Sequence, residues 1–222
     1  MAGKGKYYES QFEEATIELL RESHWQYTFG DDIHRKYTDP LIEEDLRTFL
    51  AAQYKDKKLT ASEVDGIVAN LRNTGGQNDY YALQNTFLLY RDGYDFTYSD
   101  GRDNPFRLQY IDFEHPDHNI FRCVNQFVME QGRENRRPDI LLFVNGIPVC
   151  IVELKNPTKQ NATIRDAYTQ ICTRYMRDIP ALLKYCALAV ISDGAKNKLG
   201  TPYTPFEFFY EWKKIDNEDK AG

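Results

Sequence analysis

Apolar residues at helical spacing predict three helices in the first third of the chain. The segment from Tyr8 to about Trp25 places apolar residues among glutamates, as an amphipathic helix does. Asp39 and Pro40 precede a second apolar series, with Asp39 suited to cap the helix and Pro40 to its first position. A capping-box pattern opens a third helix, spanning Thr60 to Asn73.

The middle of the chain changes from helical spacing to short apolar runs. Residues 85–110 are rich in Tyr, Phe, Asp and Gly and predict short strands or loops, and residues 119–130 permit a strand. Asp139 to Val144 and Val149 to Leu154 are continuous apolar runs around Asn145-Gly146. This pattern predicts a hairpin that is buried on both faces and forms the centre of the fold.

The last third predicts one helix, one strand and one closing helix. Apolar residues recur every three or four positions from Ile164 to Ile179, where Pro180 follows. Residues 187–191 predict a short buried strand, and residues 206–214 an aromatic, amphipathic helix. The order of elements indicates an α/β fold with residues 31–110 inserted between the first helix and the sheet, and mainly helical at the start of that insertion.

Composition and charge narrow the class of protein. With 41% hydrophobic residues in 222, the chain can bury a core as a single domain, residues 1–222. The net charge is −6, yet residues 131–200 hold eleven basic and six acidic side chains, which would attract a polyanion locally. No membrane-spanning run or secretory signal is evident, which predicts a cytoplasmic protein without membrane contact. The cysteines are widely spaced among apolar neighbours and predict reduced core thiols: Cys123, Cys150, Cys172 and Cys186.

Three ionisable residues interrupt the apolar hairpin. Asp139 begins one strand, and Glu153 and Lys155 end the other, on the same strand face because side chains alternate. Two carboxylates at one end of a sheet suit Mg²⁺, to which the backbone carbonyl of Leu154 could add a further oxygen. Such a metal polarises a phosphoryl oxygen, and a nearby ammonium can orient water, as phosphodiester hydrolysis requires.

The register of the hairpin decides whether this site forms. A strict two-residue loop at Asn145-Gly146 would pair residue 139 with 152 and turn Glu153 to the other face. An odd-length loop or a β-bulge would bring 139 opposite 153, and Pro148 favours such an irregularity. Alternatively, Asp139 caps a strand while Glu153 and Lys155 are ordinary strand-end charges.

Other motifs indicate less. The sequence His115-Pro116-Asp117-His118 is predicted to be a surface turn rather than a metal-binding pair. The acidic stretch from Asp92 to Asp103 lacks the spacing of a calcium loop. No GxxxxGK[ST] phosphate loop occurs, so we expect any ATP-driven motor to lie outside these residues.

Taken together, these motifs resemble a known family. Pro138-Asp139, Glu153-Leu154-Lys155, Gln170 and Tyr175 are similar to the PD-(D/E)XK nuclease domain at the N-terminus of the restriction (R, HsdR) subunit of type I restriction enzymes. The resemblance extends over most of the chain, through Val190-Ile191-Ser192-Asp193-Gly194 to the aromatic segment that begins at Phe206.

The resemblance implies a fold and an activity. The fold would be a restriction-endonuclease-like mixed central sheet flanked by helices, with residues 111–200 as the nuclease core. The activity would be endonucleolytic cleavage of double-stranded DNA with Mg²⁺, or Mn²⁺ in its place, in bacterial or archaeal phage defence. The module would be fused to a motor that uses ATP and assembled with methylation and specificity subunits.

The resemblance also implies roles for individual residues. Asp139 and Glu153 would bind metal, Lys155 would be catalytic, and Gln170 and Tyr175 would form a supporting helix motif. That motif usually has three intervening residues, whereas four intervene here, which places the side chains about 500° apart on an α-helix unless it is distorted. Arg174 occupies the usual spacing. Glu13, chosen over Glu9, would complete the site, and the candidate DNA contacts are Arg136, Arg137, Lys159 and Arg174.

Two other functions stay open on the sequence alone. The same fold could serve as a non-catalytic module that holds DNA or docks a partner through its basic surface. The nuclease chemistry could also belong to a repair or recombination enzyme.

Overall fold

The computed structural model describes residues 4–155 and 163–211, with side chains from residue 10 onward. A seven-stranded mixed sheet of order β1-β4-β7-β8-β9-β10-β11 forms its centre, and two small hairpins, β2-β3 and β5-β6, lie outside it. The strands are β1 (Gln26–Phe29), β2 (Tyr94–Phe96), β3 (Phe106–Leu108), β4 (Phe121–Asn125), β5 (Met129–Gln131), β6 (Glu134–Arg136), β7 (Ile140–Val144), β8 (Ile147–Leu154), β9 (Leu188–Ser192), β10 (Asn197–Gly200) and β11 (Tyr210–Glu211).

Helices cover the sheet and form a second layer beside it. They are α1 (Lys4–Glu22), α2 (Glu43–Gln53), α3 (Ala61–Asn73), α4 (Asp79–Asp92), α5 (Ile164–Thr169), a π-helix (Gln170–Tyr175), α6 (Met176–Asp178) and α7 (Pro180–Leu183). This is the expected α/β class, a mixed sheet flanked by helices as in restriction endonucleases.

The two faces of the sheet are covered by different helices. Ile17 of α1 packs with Ile140, Val152 and Leu154, so α1 covers the face to which these strand residues point. Leu141 and Ile151, their alternating neighbours, pack with Ile171 and Tyr175 on the opposite face. The central strands are therefore buried on both faces, as the continuous apolar runs predicted. A third cluster holds α2 and α3 against the turn end of the hairpin.

The central hairpin contains the predicted bulge. Asn145 and Gly146 form a two-residue turn with positive φ angles of 51° and 75°, and Val144 pairs with Ile147. The register then shifts, because Phe143 pairs with Pro148 but Leu142 pairs with Cys150. Val149 is thus the extra residue, and Ile140 faces Val152. Continuing this register places position 139 opposite 153.

The helical layer partly departs from the sequence prediction. The third helix has the predicted capping box, in which Thr60 and Glu63 exchange hydrogen bonds. The second helix begins at Glu43 with Ile42 as its N-cap, so Asp39 and Pro40 precede it. The Asp39 carboxylate instead accepts the Leu41 N–H, which is a local turn that competes with helix capping.

Two segments were assigned partly wrongly from sequence. In the stretch predicted as strands or loops, residues 85–92 instead belong to helix α4, which is capped by the Asn78 side chain that accepts the Tyr81 N–H. The prediction is confirmed for the rest of that stretch, which contains the short strands β2 and β3. In the predicted closing helix, residues Phe206–Phe208 form only a 3₁₀ turn. Tyr210–Glu211 instead form the extended strand β11, which pairs with β10, so the helix prediction is wrong there. Residues 212–214 lie outside the described residues.

The predictions for the cysteines and for the surface turn at residues 115–118 are confirmed. The four cysteines are free thiols, three of them buried. His115 to His118 form a surface turn with both histidines exposed. Across residues 4–155 and 163–211, no helix has the length and apolar content that a membrane span requires.

Candidate active site

The bulged register brings Asp139 and Glu153 together at the open end of the hairpin. Both side chains point to the face covered by α5 and the π-helix, because they share the alternation of Leu141 and Ile151. The two carboxyl groups are hydrogen bonded to each other. Asp139 Oδ2 also accepts the Leu154 N–H at 2.8 Å. The hairpin backbone therefore holds one carboxylate directly against the strand that carries the other.

Both carboxyl groups bind protons more strongly than usual. Burial raises the pKa of Asp139 to about 6, partly offset by the Leu154 N–H and by the charge of Lys155. The pKa of Glu153 is raised well above its ordinary range by complete burial and by the Asp139 charge. Complete burial and the neighbouring Asp139 carboxyl group therefore both favour the neutral form of Glu153, and the Lys155 ammonium opposes them.

Lys155 shares this face, as the alternation predicted. Its Nζ donates to Glu153 Oε1 at 2.7 Å, and its side chain is 13% exposed. Its backbone N–H donates to the Ser192 carbonyl at 2.8 Å, which anchors the residue to β9 beyond the end of β8. The ammonium is therefore held beside the carboxyl pair and still reaches solvent.

The π-helix resolves the unusual spacing of Gln170 and Tyr175. Its i→i+5 hydrogen bonding brings the two side chains together across the extra residue, and Gln170 Nε2 donates to the Tyr175 hydroxyl at 2.7 Å. The hydroxyl lies 3.3 Å from Glu153 Oε2. The pKa of Tyr175 is raised by burial and by the charge of Glu153. Arg174, at the usual spacing, is exposed instead.

Glu13 lies beside the pair but is separated from it by two amides. Its carboxylate accepts hydrogen bonds from Asn125 Nδ2 at 2.7 Å and Gln126 Nε2 at 3.1 Å. The Gln126 backbone N–H in turn donates to the Asp139 carbonyl. Glu13 contributes to the raised pKa of Asp139 through its charge. Within the described residues, its oxygens do not form a three-ligand group with Asp139 and Glu153.

Basic side chains surround a shallow groove next to this centre. Arg136, Arg174 and Arg177 line it together with Gln170 and Tyr175. Arg136 and Arg177 are held by the buried carboxylate of Asp178, whereas Arg174 is exposed. Arg177 and Asp178 were not among the site residues predicted from the sequence.

Arg137 lies near the site with both an exposed side chain and a backbone carbonyl that faces Tyr175. The residue is exposed at the entrance of β7, and its carbonyl lies 3.4 Å from the Tyr175 hydroxyl. Lys159, also predicted to contact DNA, lies outside the described residues.

The donor set is chemically suited to a hard divalent cation. Carboxylate oxygens are the ligands that Mg²⁺ prefers, and a cation between Asp139 and Glu153 would offset the repulsion from Asp139 that raises the pKa of Glu153. Within a strand residue the N–H and C=O point toward the same neighbour, so the Leu154 carbonyl is directed toward Asp139 as its N–H is. The residues present fit such an ion.

Comparison with known proteins identifies the family. The family model described as "Type I restriction enzyme R protein N terminus" matches residues 6–208. The chain is 30% identical to the type I restriction enzyme HindI endonuclease subunit of Haemophilus influenzae, covering 96% of this chain and 21% of that protein. It is also 30% identical to the putative MjaIXP endonuclease subunit of Methanocaldococcus jannaschii, covering 93% of this chain and 20% of that protein.

A third relative, matched over a shorter part of the chain, is also a type I restriction enzyme subunit. The type I restriction enzyme EcoprrI endonuclease subunit of Escherichia coli is 32% identical over 56% of this chain and 40% of that protein. The chain spans about a fifth of the length of the first two relatives. With a match over almost its whole length and a mixed sheet of the expected class, the chain belongs to the family of type I restriction enzyme R protein N-termini.

Proposed function

We propose that this chain is the DNA-cleaving module of a type I restriction enzyme and hydrolyses phosphodiesters of double-stranded DNA with Mg²⁺. The proposal depends on one observation. Asp139, whose carboxylate accepts the Leu154 N–H, is hydrogen bonded to the completely buried Glu153, and Lys155 Nζ lies 2.7 Å from Glu153 Oε1. This arrangement favours a metal-dependent site over ordinary strand-end charges, because an ordinary strand-end glutamate is not completely buried beside a second carboxyl group.

Each residue has a task in this proposal. Asp139, Glu153 and the Leu154 carbonyl would hold Mg²⁺, or Mn²⁺ in its place, and the bound ion would polarise the scissile phosphoryl group. Lys155 would orient the attacking water and offset the charge that develops on the phosphate.

The π-helix would support these residues from above the sheet face. Gln170 fixes the Tyr175 hydroxyl, and that hydroxyl restrains Glu153. Tyr175 and Gln170 are therefore positioning residues, since the structure connects them to Glu153 and to each other.

Arginines beside the site would hold the DNA backbone. Arg136 and Arg174 line the groove next to Tyr175, and Arg137 is exposed at its edge. Arginine forks suit bidentate contacts with phosphate oxygens, and such contacts position DNA without reading its sequence. Lys159 would add to this surface. In the longer protein, we expect methylation and specificity subunits to supply recognition, and ATP to be used outside these residues.

The test combines metal binding with cleavage. Isothermal titration of the 222-residue chain with Mg²⁺ and Mn²⁺ should show saturable binding that Glu153→Gln and Asp139→Asn abolish. Nicking of supercoiled plasmid by the same variants, at high protein concentration, should fall by about 10³-fold. Glu207→Gln serves as the matched control, because Glu207 is an exposed glutamate outside the site.

Two results would decide against the proposal. Absence of saturable metal binding in the unsubstituted chain would exclude a metal-dependent centre. Metal binding that persists unchanged in Glu153→Gln would move the ion away from this pair. In either case the non-catalytic DNA-binding function would become the better account of the basic groove.

A further inference from the structure

A second group of metal-ligating side chains lies in the loop between β3 and β4. Asp112, His115 and His118 each offer one ligand atom, and these atoms all lie within 4.8 Å of one another. Asp112 Oδ2 is 3.0 Å from His118 Nδ1 and 3.7 Å from His115 Nδ1. Two imidazoles and one carboxylate thus converge on a single point of the surface.

These separations match those of a coordinated ion. Zinc bonds to histidine nitrogen and carboxylate oxygen are about 2.0–2.2 Å long, so two ligands of a tetrahedral ion lie about 3.3–3.6 Å apart. The two nitrogen-to-oxygen distances in the loop lie on either side of that interval. A cation could therefore replace the hydrogen bond between Asp112 and His118 with movements of a few tenths of an ångström.

The carboxylate is already oriented by the surrounding structure. Asp112 Oδ1 accepts the backbone N–H groups of Glu114 at 3.0 Å and His115 at 2.9 Å. Gln53, at the end of α2, donates Nε2 to Asp112 Oδ2 at 2.9 Å. The Asp112 side chain is only 6% exposed. Metal ligands are commonly fixed by such outer hydrogen bonds, which align them before the ion arrives.

The two histidines are placed together by a tight turn. Residues Pro116–His118 form a 3₁₀ turn, with His115 at its N-cap. Side chains three residues apart eclipse in that geometry, and the two rings stack with centroids 4.9 Å apart at 18°. Both histidines are more than half exposed, at 61% and 51%, so the side of the group away from Asp112 is open to solvent.

We propose that Asp112, His115 and His118 bind a zinc-class divalent cation, with water in the remaining coordination position. Imidazole nitrogens favour Zn²⁺, Ni²⁺, Co²⁺ or Cu²⁺, whereas Mg²⁺ prefers oxygen ligands. The site would connect the loop to α2 through Gln53 and would therefore stabilise the helical layer against the sheet.

This site is separate from the carboxyl pair of the hairpin. Asn119, next to the histidine turn, accepts the Asp112 N–H and hydrogen bonds to Asn145 of the hairpin turn. Asp139 and Glu153 lie at the other end of the same two strands. Ions of different chemistry would thus occupy opposite ends of the central hairpin.

Zinc titration in a background without the first site tests the proposal. In the Glu153→Ala chain, calorimetry should show one bound Zn²⁺, and no response of this site to Mg²⁺. Adding His115→Gln and His118→Gln should abolish that Zn²⁺ binding. Gln53→Ala, which removes only an outer hydrogen bond to Asp112, should weaken it about tenfold.

The other two histidines of the chain provide the control. His24→Asn with His34→Gln removes the same number of imidazoles, and asparagine tolerates the positive φ of 68° at position 24. Zinc binding should be unchanged in this control. Persistence of the zinc signal in the His115/His118 variant, or its loss in the control, would overturn the proposal.

Nuclear magnetic resonance of the unsubstituted chain provides a test that no folding defect can affect. The chain has four imidazole rings. In the presence of excess Mg²⁺, substoichiometric Zn²⁺ should shift the signals of His115 and His118 and leave those of His24 and His34 in place. Four unshifted signals at saturating Zn²⁺ would mean that the group is a hydrogen-bonded turn and nothing more.

Discussion

A buried carboxyl group lies at each end of the central hairpin, and the pKa values of the two groups are shifted in opposite directions from their ordinary values. Glu153 at the open end is completely buried, and its pKa is raised well above the ordinary range. Asp112 beside the turn end is 6% exposed. Burial also raises its pKa, but hydrogen bonds led by the His115 backbone N–H outweigh burial and hold it at about 2.

The difference lies in the donors that each carboxylate meets. Asp112 accepts hydrogen bonds from two backbone amides and from Gln53, with the His118 ring at 3.0 Å. Glu153 meets the ammonium of Lys155 but also a second carboxyl group, Asp139. Burial acts on both groups in the same direction, so the opposite shifts of their pKa values come from the donors and charges around them.

The largest expected effect is a loss of DNA cleavage without a loss of metal binding at the open end of the hairpin. Lys155→Ala should reduce plasmid cleavage by about 10²- to 10³-fold, because the charge that stabilises the developing phosphate is lost. Mg²⁺ affinity should be maintained or increased, since the ammonium no longer competes for Glu153 Oε1. Parallel cleavage assays and calorimetry measure the two quantities, with Lys196→Ala, an exposed lysine, as control. Loss of metal binding in Lys155→Ala would contradict this division of roles.

The next effect is the pH dependence of stability without metal. A raised carboxyl pKa contributes stability below the unfolded value of about 4, and this stability is lost as pH rises through the folded value, about 6 for Asp139. The free energy of unfolding in EDTA should therefore be lower at pH 8 than at pH 5, by about 1 kcal/mol from this group.

Urea unfolding at the two pH values measures this difference. Asp139→Asn should reduce it, because the amide does not titrate and burial no longer acts on a carboxyl group at this position. Added Mg²⁺ should raise the stability of the unsubstituted chain at pH 8. An equal pH dependence in Asp139→Asn would show that this carboxyl group is not its source.

The turn end should behave in the opposite way. Asp112→Asn replaces a charged acceptor of several hydrogen bonds and should lower the free energy of unfolding by about 1–2 kcal/mol. Because the pKa of Asp112 is about 2, its contribution is lost only as pH falls through that value. The loss should therefore be present in urea unfolding at pH 8, where the carboxylate still accepts its amide hydrogen bonds, and the absence of a loss there would break the comparison.

The smallest effect concerns the π-helix. Deleting Thr173, an exposed residue within it, should convert the π-turn to an α-turn that keeps Gln170 beside the tyrosine. Stability should change by less than about 1 kcal/mol, comparable to one hydrogen bond. Tyr175→Phe, which removes the hydroxyl itself, should weaken metal binding more than this deletion does, as calorimetry can determine. The reverse order would mean that the extra residue, rather than the hydroxyl, supports Glu153.

Local signals and the hairpin pattern were readable from the sequence. The capping box from Thr60 to Glu63 is confirmed because it depends on four neighbouring residues. The need for a bulge followed from counting between Asp139 and Glu153, since side-chain direction in a strand has a period of two. The bulge position at Val149 could not be deduced, because several placements give the same pairing of 139 with 153.

Long-range contacts account for what the sequence did not reveal. Asp112 lies three residues before His115, but its orientation depends on Gln53, far away in the chain. Helix α4 has a weakly segregated apolar pattern with many tyrosines, and tertiary packing of Leu83 and Tyr90 determines its structure. From the sequence, a distorted helix was expected only if Gln170 and Tyr175 were to lie together. In the structure, the Tyr175 hydroxyl contacts Glu153 of the sheet beneath the π-helix.

The turn at Gly146 determines to which face of the sheet Glu153 points, although the two residues are not in contact. A side chain there would meet the Ile42 carbonyl at 2.0 Å, and the Ile42 N–H donates to the Gly146 carbonyl. Six residues lie between this glycine and Glu153, so the two are seven strand steps apart, roughly 23 Å at 3.3 Å per step. Adding or removing one residue at this turn should consequently direct Glu153 to the other face of the sheet and abolish the proposed DNA cleavage, although no proposed site residue is substituted.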